Sequence, residues 1–157
     1  MEYIGAAVGV AAFVGLVGWF LWRWTHHAGR EIQVGRAREL FALQRDHLHG
    51  LFFEAAAATG KPKGLRWKSC EFGEDLELAR DKRTGELLGL VPVTIAFEAI
   101  PGSDMEDLPA VGNLRSASAV FTFHRGNWTT AGRAVFNLNP DEAIRHFHNV
   151  YDPVAER

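Results

Sequence analysis

The chain has 157 residues, 47% of them hydrophobic and 23% charged, with a formal net charge of −2. This length suits one modest domain plus an additional segment, and the slightly acidic balance argues against a general nucleic-acid binder, which would be basic. The single cysteine, Cys70, excludes an internal disulfide and fits a reducing compartment.

From Tyr3 to Leu21 no residue is charged and none is proline. Counting Trp22, the run is about 20 residues, or about 30 Å of helix, enough to cross a bilayer core. It shows no polar face, unlike a soluble surface helix. Residues 1–24 are therefore expected to form a single-pass transmembrane anchor, followed by a juxtamembrane joint over 25–30. A cleaved export signal is disfavoured, because Met1-Glu2 carries no basic side chain and the run ends in Trp22-Arg23-Trp24. Trp19, Trp22 and Trp24 suit the aromatic belt of a membrane interface. Arg23 and Arg30 lie after the span with no Lys or Arg before it. That asymmetry places the N-terminus outside and the C-terminal domain in the cytoplasm, at the inner membrane. Gly5, Gly9 and Ala12 follow the small-residue pattern of helix dimerisation in lipid, although glycine is common in membrane helices generally.

Gly29 marks an expected break, and the soluble part is expected to span 31–157. A helix is predicted over 31–59, with Val34, Ala37, Phe41, Leu48, Leu51 and Ala55 on 3-4-3-4 spacing and Gln44 interrupting the stripe. Leu40, Leu43, Phe52 and Phe53 widen the apolar face, which favours packing onto a sheet over a narrow coiled-coil seam. Gly60 and Pro62 end the helix. Sheet is predicted over 65–138, where the apolar period changes to two. Arg80 to Glu86 reads as a hairpin loop with Gly85 at a positive φ. Val91, Val93, Ile95, Phe97 and Ala99 share one strand face, and Pro92 predicts an edge position or a bulge. A long loop follows from Pro101 to Asn113. Arg115, Ala117, Ala119, Phe121 and Phe123 then form one strand face, and "HRGNW" a tight turn into a last strand near Trp128 to Asn137. Asn139-Pro140-Asp141-Glu142 starts a closing helix over 140–150. The expected architecture is α+β, with a long amphipathic helix packed on a 4–5-stranded antiparallel sheet and a short C-terminal helix.

Motifs for chemistry are sparse. His26-His27 point about 100° apart on a helix, and the pairs His47/His49 and His146/His148 share no helical face. No HExxH occurs, so solvated or interfacial histidines are expected, and a metal or haem site at His26 or His27 ranks last. Cys70 has no adjacent base and reads as a small apolar residue. Two acidic groups, Glu71 to Glu77 and Asp104 to Asp107, lack the pattern of an EF-hand. Because Asp104, Glu106 and Asp107 are interleaved with Met105 and Leu108, that loop is the expected partner contact. Lys61, Lys63, Arg66 and Lys68 around Trp67 fit either a lipid-facing stretch or a salt-bridged surface. There is no G-x-S-x-G, P-loop, GxGxxG or CxxC. Ser116 and Ser118 share a strand face with His124, but too far from it for direct contact. Asn127 to Thr129 fits a glycosylation sequon, a poor guide in a cytoplasmic domain.

The blocks "GKPKGLRWKSCEFG", "AVGNLRSASAVF" and "WTTAGRAVFNLNP" resemble those of an uncharacterised family of short bacterial single-pass membrane-anchored proteins. The resemblance covers roughly Ala37 to Phe147 and implies no assigned active site. The expectation is a non-enzymatic interaction or scaffold module on the bilayer, with a homo-oligomeric or protein partner, no nucleic acid and no cofactor. The alternative is a small-ligand or enzymatic pocket between the long helix and the sheet.

Overall fold

The computed structural model describes residues 2–59 and 64–154, with side chains described throughout except at 2–14 and 20–30. The chain divides into two compact units between Arg36 and Ala37. Helix α1, Glu2–Thr59, begins in the first and ends in the second, and Gly29, Gly35 and Gly50 do not interrupt it. In the first unit Leu16, Val17, Trp19 and Ile32 are exposed. The side chains of Trp22, Arg23, Trp24 and Arg30, and the Gly5, Gly9, Ala12 face, lie outside the described residues. Among the described residues no helix is long and apolar enough to cross a membrane.

The second unit is an α+β domain on a seven-stranded antiparallel sheet, more strands than the four or five expected. Its strands are β1 (Leu65–Phe72), β2 (Glu77–Asp81), β3 (Leu87–Ala99), β4 (Arg115–His124), β5 (Asn127–Thr129), β6 (Ala134–Phe136) and β7 (Tyr151–Pro153). The order is β5-β4-β3-β2-β7, with β1 also beside β3 and β6 also beside β4. Strand β3, 13 residues long, pairs with β2 over its first part and with β1 over its second.

Pro92 therefore lies in a central strand, not at an edge. Its carbonyl accepts from Gly73 N at 2.8 Å, so its nitrogen faces the same side, where β1 has ended and β2 has not begun. A proline without an N–H fits that gap and breaks no ladder bond. Gly73 completes the junction, since a Cβ there would stand 2.7 Å from the Pro92 ring.

Alternation along β3 and β4 sends Leu87, Val91, Ile95, Ala119 and Phe121 to one face, and all are buried. Helix α1 covers that face with Ala37, Phe41, Leu48, Phe52 and Ala56. The buried line thus turns from the expected Leu51 and Ala55 to Phe52 and Ala56, and Leu51 is exposed. Arg45, one turn after Phe41, sits where the stripe lacks an apolar residue. Phe41 meets Phe121 and Trp128 edge to face, each at 5.2 Å between ring centroids. Trp128 donates its indole N–H to the Ala37 carbonyl at 2.8 Å.

The sheet's other face is covered too, which one-sided patterning did not predict. Ala79, Leu88, Leu90 and Val120 pack with Ala143, Ile144 and Tyr151. Helix α2, Pro140–His146, starts as expected with a capping box: Asn139 Oδ1 accepts from Glu142 N at 2.8 Å, and Glu142 Oε2 accepts from Asn139 N at 3.1 Å. It is shorter than the expected 140–150 helix, because the chain turns at Phe147 to bring β7 beside β2 and bury Tyr151.

The expected last strand, Trp128 to Asn137, is two short strands. Between them Gly132 has φ +71°, and a Cβ there would stand 2.2 Å from the Ala56 nitrogen. Gly132→Ala is expected to cost roughly 3 kcal/mol or more, combining a strained φ with overpacking against α1 backbone. Gly50→Ala, where a Cβ meets nothing within 4 Å on an exposed helix face, should instead raise stability by up to about 1 kcal/mol. Denaturant unfolding of the full chain in mild detergent checks both signs.

Candidate functional site

The space between α1 and the sheet is filled. Phe52 packs with Trp67, Phe72 and Phe121 at 6.4, 5.6 and 5.8 Å between centroids, continuing the Phe41 cluster. Two clefts lie at the domain's margins. One, of about 460 Å³, lies between α1 and the β1–β2 connection. Its arginines are already engaged: Arg38 Nη1 donates to Leu76 O at 3.2 Å, and Arg45 Nη2 to Gly73 O at 3.2 Å and to Glu74 O. Both guanidinium groups therefore hold the connection against the helix, and Glu74 and Asp75 project outward from it.

A second cleft, about 530 Å³, crosses the sheet face opposite α1, beside α2. Its walls come from three strands in register and the segment that follows β6. Glu71 of β1 pairs with Thr94 of β3, which pairs with Ser116 of β4. Ser116 O in turn accepts from Asn137 N, just past β6, at 2.9 Å. Asn137 has φ +61°, a left-handed conformation that asparagine tolerates. Pro92 and Leu138 supply apolar surface, Val93 and Ala117 turn their side chains to the α1 face, and Asn139 and Glu142 form the α2 rim. Ser118 is buried beside it and donates to Leu138 O at 2.8 Å, which pins the segment leading into α2. Among the described residues, none that lines this groove is Lys, Arg or His. Neither Glu71 nor Glu142 has an ion-pair partner among the described residues.

The expected partner loop is ordered by its own contacts. Ile100 N and Ser103 Oγ both donate to Gly64 O, at 2.9 and 3.0 Å, and Glu106 Oε2 accepts from Gly102 N at 2.7 Å. Pro109–Gly112 form a 3₁₀ turn. Asp104, Glu106, Asp107 and Leu108 are exposed, whereas Met105 is half-buried against Gly64. The loop and the groove are formed by different segments, and the groove was missed from sequence because no local motif marks it.

Histidines serve several local roles. His124 Nδ1 meets Glu86 Oε1 at 2.7 Å across the two hairpin ends. His49 stacks on Phe72 with centroids 3.9 Å apart and planes 7° from parallel. Burial, then the nearby Arg45 charge, pull the His49 pKa below 6.5, partly offset by Asp46. Among the described residues no three His, Cys, Asp or Glu side chains group as a metal ion would need. Burial pushes the Cys70 thiol up to about 11, so little thiolate exists at neutral pH.

Comparison with protein-family models, with curated proteins and with solved structures finds no match for this chain.

His49 makes stability depend on pH in a defined direction. Its folded pKa lies below the unfolded value near 6.5, so the unfolded chain takes up the proton first on acidification. The contribution is full above pH 6.5 and is lost as pH falls through that value towards the folded pKa. Lowering pH from 7.5 to 5.5 should reduce the unfolding free energy of the native chain more than that of His49→Phe, which keeps a stacked ring without titration. Equal losses in the two proteins would remove His49 as the source.

Proposed function

We propose that the chain is a membrane-anchored, non-enzymatic interaction or scaffold module. In this reading residues 1–24 are a single-pass anchor at the inner membrane, with the N-terminus outside and the α+β domain in the cytoplasm. The uncharged run from Tyr3 to Leu21 supports the anchor, and the arginines after it support the orientation. Trp19, Trp22, Arg23, Trp24 and Arg30 would lie at the interface, with Gly5, Gly9 and Ala12 as a face for self-association. The same reading fits the kind of short bacterial anchored protein that the sequence blocks resemble.

The observation that carries the interaction role is the filled space between α1 and the sheet. Rings of Phe41, Phe52, Phe121 and Trp128 occupy the place a ligand enclosed under the helix would need. Recognition is thereby directed to the surface. Asp104 to Leu108 supply an exposed acidic loop with one apolar side chain, Leu108, 48% exposed and held on a self-braced frame. Such a loop can meet a partner without first being ordered, so little conformational entropy is lost on binding.

Two measurements test this reading. Alkaline carbonate extraction should leave the full chain in the membrane pellet, and external protease should spare the domain in spheroplasts but digest it in inside-out vesicles. A photo-crosslinker replacing Leu108 in cells should give a discrete adduct, while the same group at Thr84 gives none. Release into the carbonate supernatant would remove the anchor, and absence of a Leu108 adduct would remove the loop as a contact.

A further inference from the structure

We propose that the groove formed by Glu71, Thr94, Ser116, Asn137 and Glu142 docks a basic peptide segment. An arginine or lysine side chain would lie along its apolar surface with the charged end between the two carboxylates. This deepens the interaction-module reading, on which it rests, by naming the chemistry of one partner.

Charge decides the sign of the occupant. Glu71 and Glu142 come from separate elements, β1 and α2, and among the described residues no Lys, Arg or His lines the groove. An anionic segment would be repelled by both carboxylates, whereas a cation would give Glu71 an ion-pair partner and share Glu142 with the α2 cap. Hydrogen bonding agrees. A carboxylate only accepts, and the Thr94 and Ser116 hydroxyls and the Asn137 amide can each accept or donate, so a donor-rich guanidinium or ammonium group finds acceptors along the walls.

The apolar surface selects a side chain over a bare ion. Pro92 and Leu138 are apolar and lie beside the polar rim. A methylene stem covers apolar surface while its charged end stays among polar groups, as long basic side chains commonly do. At about 530 Å³ the groove exceeds one side chain. A space in this range accepts a ligand of roughly two or three residues. The frame is prepared for it, because the row Glu71–Thr94–Ser116 is fixed by strand register and the Glu142 rim by the capping box.

The test uses the full chain, labelled with ¹⁵N, in a non-ionic detergent at low salt. It is titrated with the blocked peptide acetyl-Gly-Arg-Ala-Arg-Gly-amide. Saturable amide shifts are expected at Thr94, Ser116, Asn137 and Glu142, with a matching Glu-containing peptide silent. The double substitution Glu71→Gln with Glu142→Gln should weaken binding at least tenfold. Gln at 142 can still serve the capping box, so the rim should persist. Glu54→Gln, which removes an exposed acidic charge on α1, should leave the affinity unchanged.

Shifts centred on Asp104 to Asp107, unchanged affinity in the double variant, or no saturation at millimolar peptide would each overturn the proposal. An equal response to spermidine would also overturn it, by reassigning the groove to a free polyamine. Because the titration is done in detergent, it is independent of the anchor. Carbonate release with peptide binding intact removes only the anchor, and carbonate resistance without peptide shifts removes only this proposal.

Discussion

The domain depends on how closely Trp128 approaches α1. Its indole lies over Gly89, where a Cβ would stand 2.9 Å from the ring, and its N–H reaches the Ala37 carbonyl at 2.8 Å. This hydrogen bond is buried, so losing the acceptor or the donor would strand a polar group out of water. The same ring packs against Phe41 and Phe123, which links the helix, the β5 strand and the centre of the sheet. Gly132 makes a second close contact, against the α1 backbone at Ala56. With the helix held at Ala37 and at Ala56, the side chains between them have one register on the sheet, and the aromatic filling follows from it.

Much of the fold is legible in the sequence where the signal is local. The alternation on β3 and β4, the Gly85 hairpin and the Asn139 cap each depend on residues within a few positions of one another, and they stand where expected. Features that depend on a distant partner were misread. Pro92 looks like an edge residue because a strand's place in the sheet is not a local property; it is central because β1 and β2 share one side of β3 and leave a gap opposite it. The break between β5 and β6 is imposed by α1 pressing on Gly132, and nothing near Gly132 announces it. Arg45, next to the Gln44 gap in the apolar stripe, likewise carries no local sign of the Gly73 and Glu74 carbonyls it reaches.

The candidate sites divide in the same way. The Asp104 to Leu108 loop is continuous in sequence and could be proposed from its composition. The groove draws on β1, β3, β4, the residues after β6, and α2. Glu71 belonged to an acidic turn by sequence, Ser116 to an unpromising Ser/His strand, and Asn137 to the end of a strand. Only strand pairing places them in one row. His49 belongs with these cases, since its sequence neighbours indicated a solvated histidine, and the stack on Phe72 places it at the seam between helix and sheet.

One detail of β1 bears on how many copies can share a small area. Among the described residues β1 pairs only with β3, so its other side is an edge. The register slips between Trp67 and Ser69, leaving Lys68 bulged out and exposed. A second strand approaching that edge would find the spacing of backbone donors and acceptors broken and a charge at the break. Edge-to-edge stacking into growing sheets is thereby obstructed. The domain can therefore be concentrated without its edge templating further assembly.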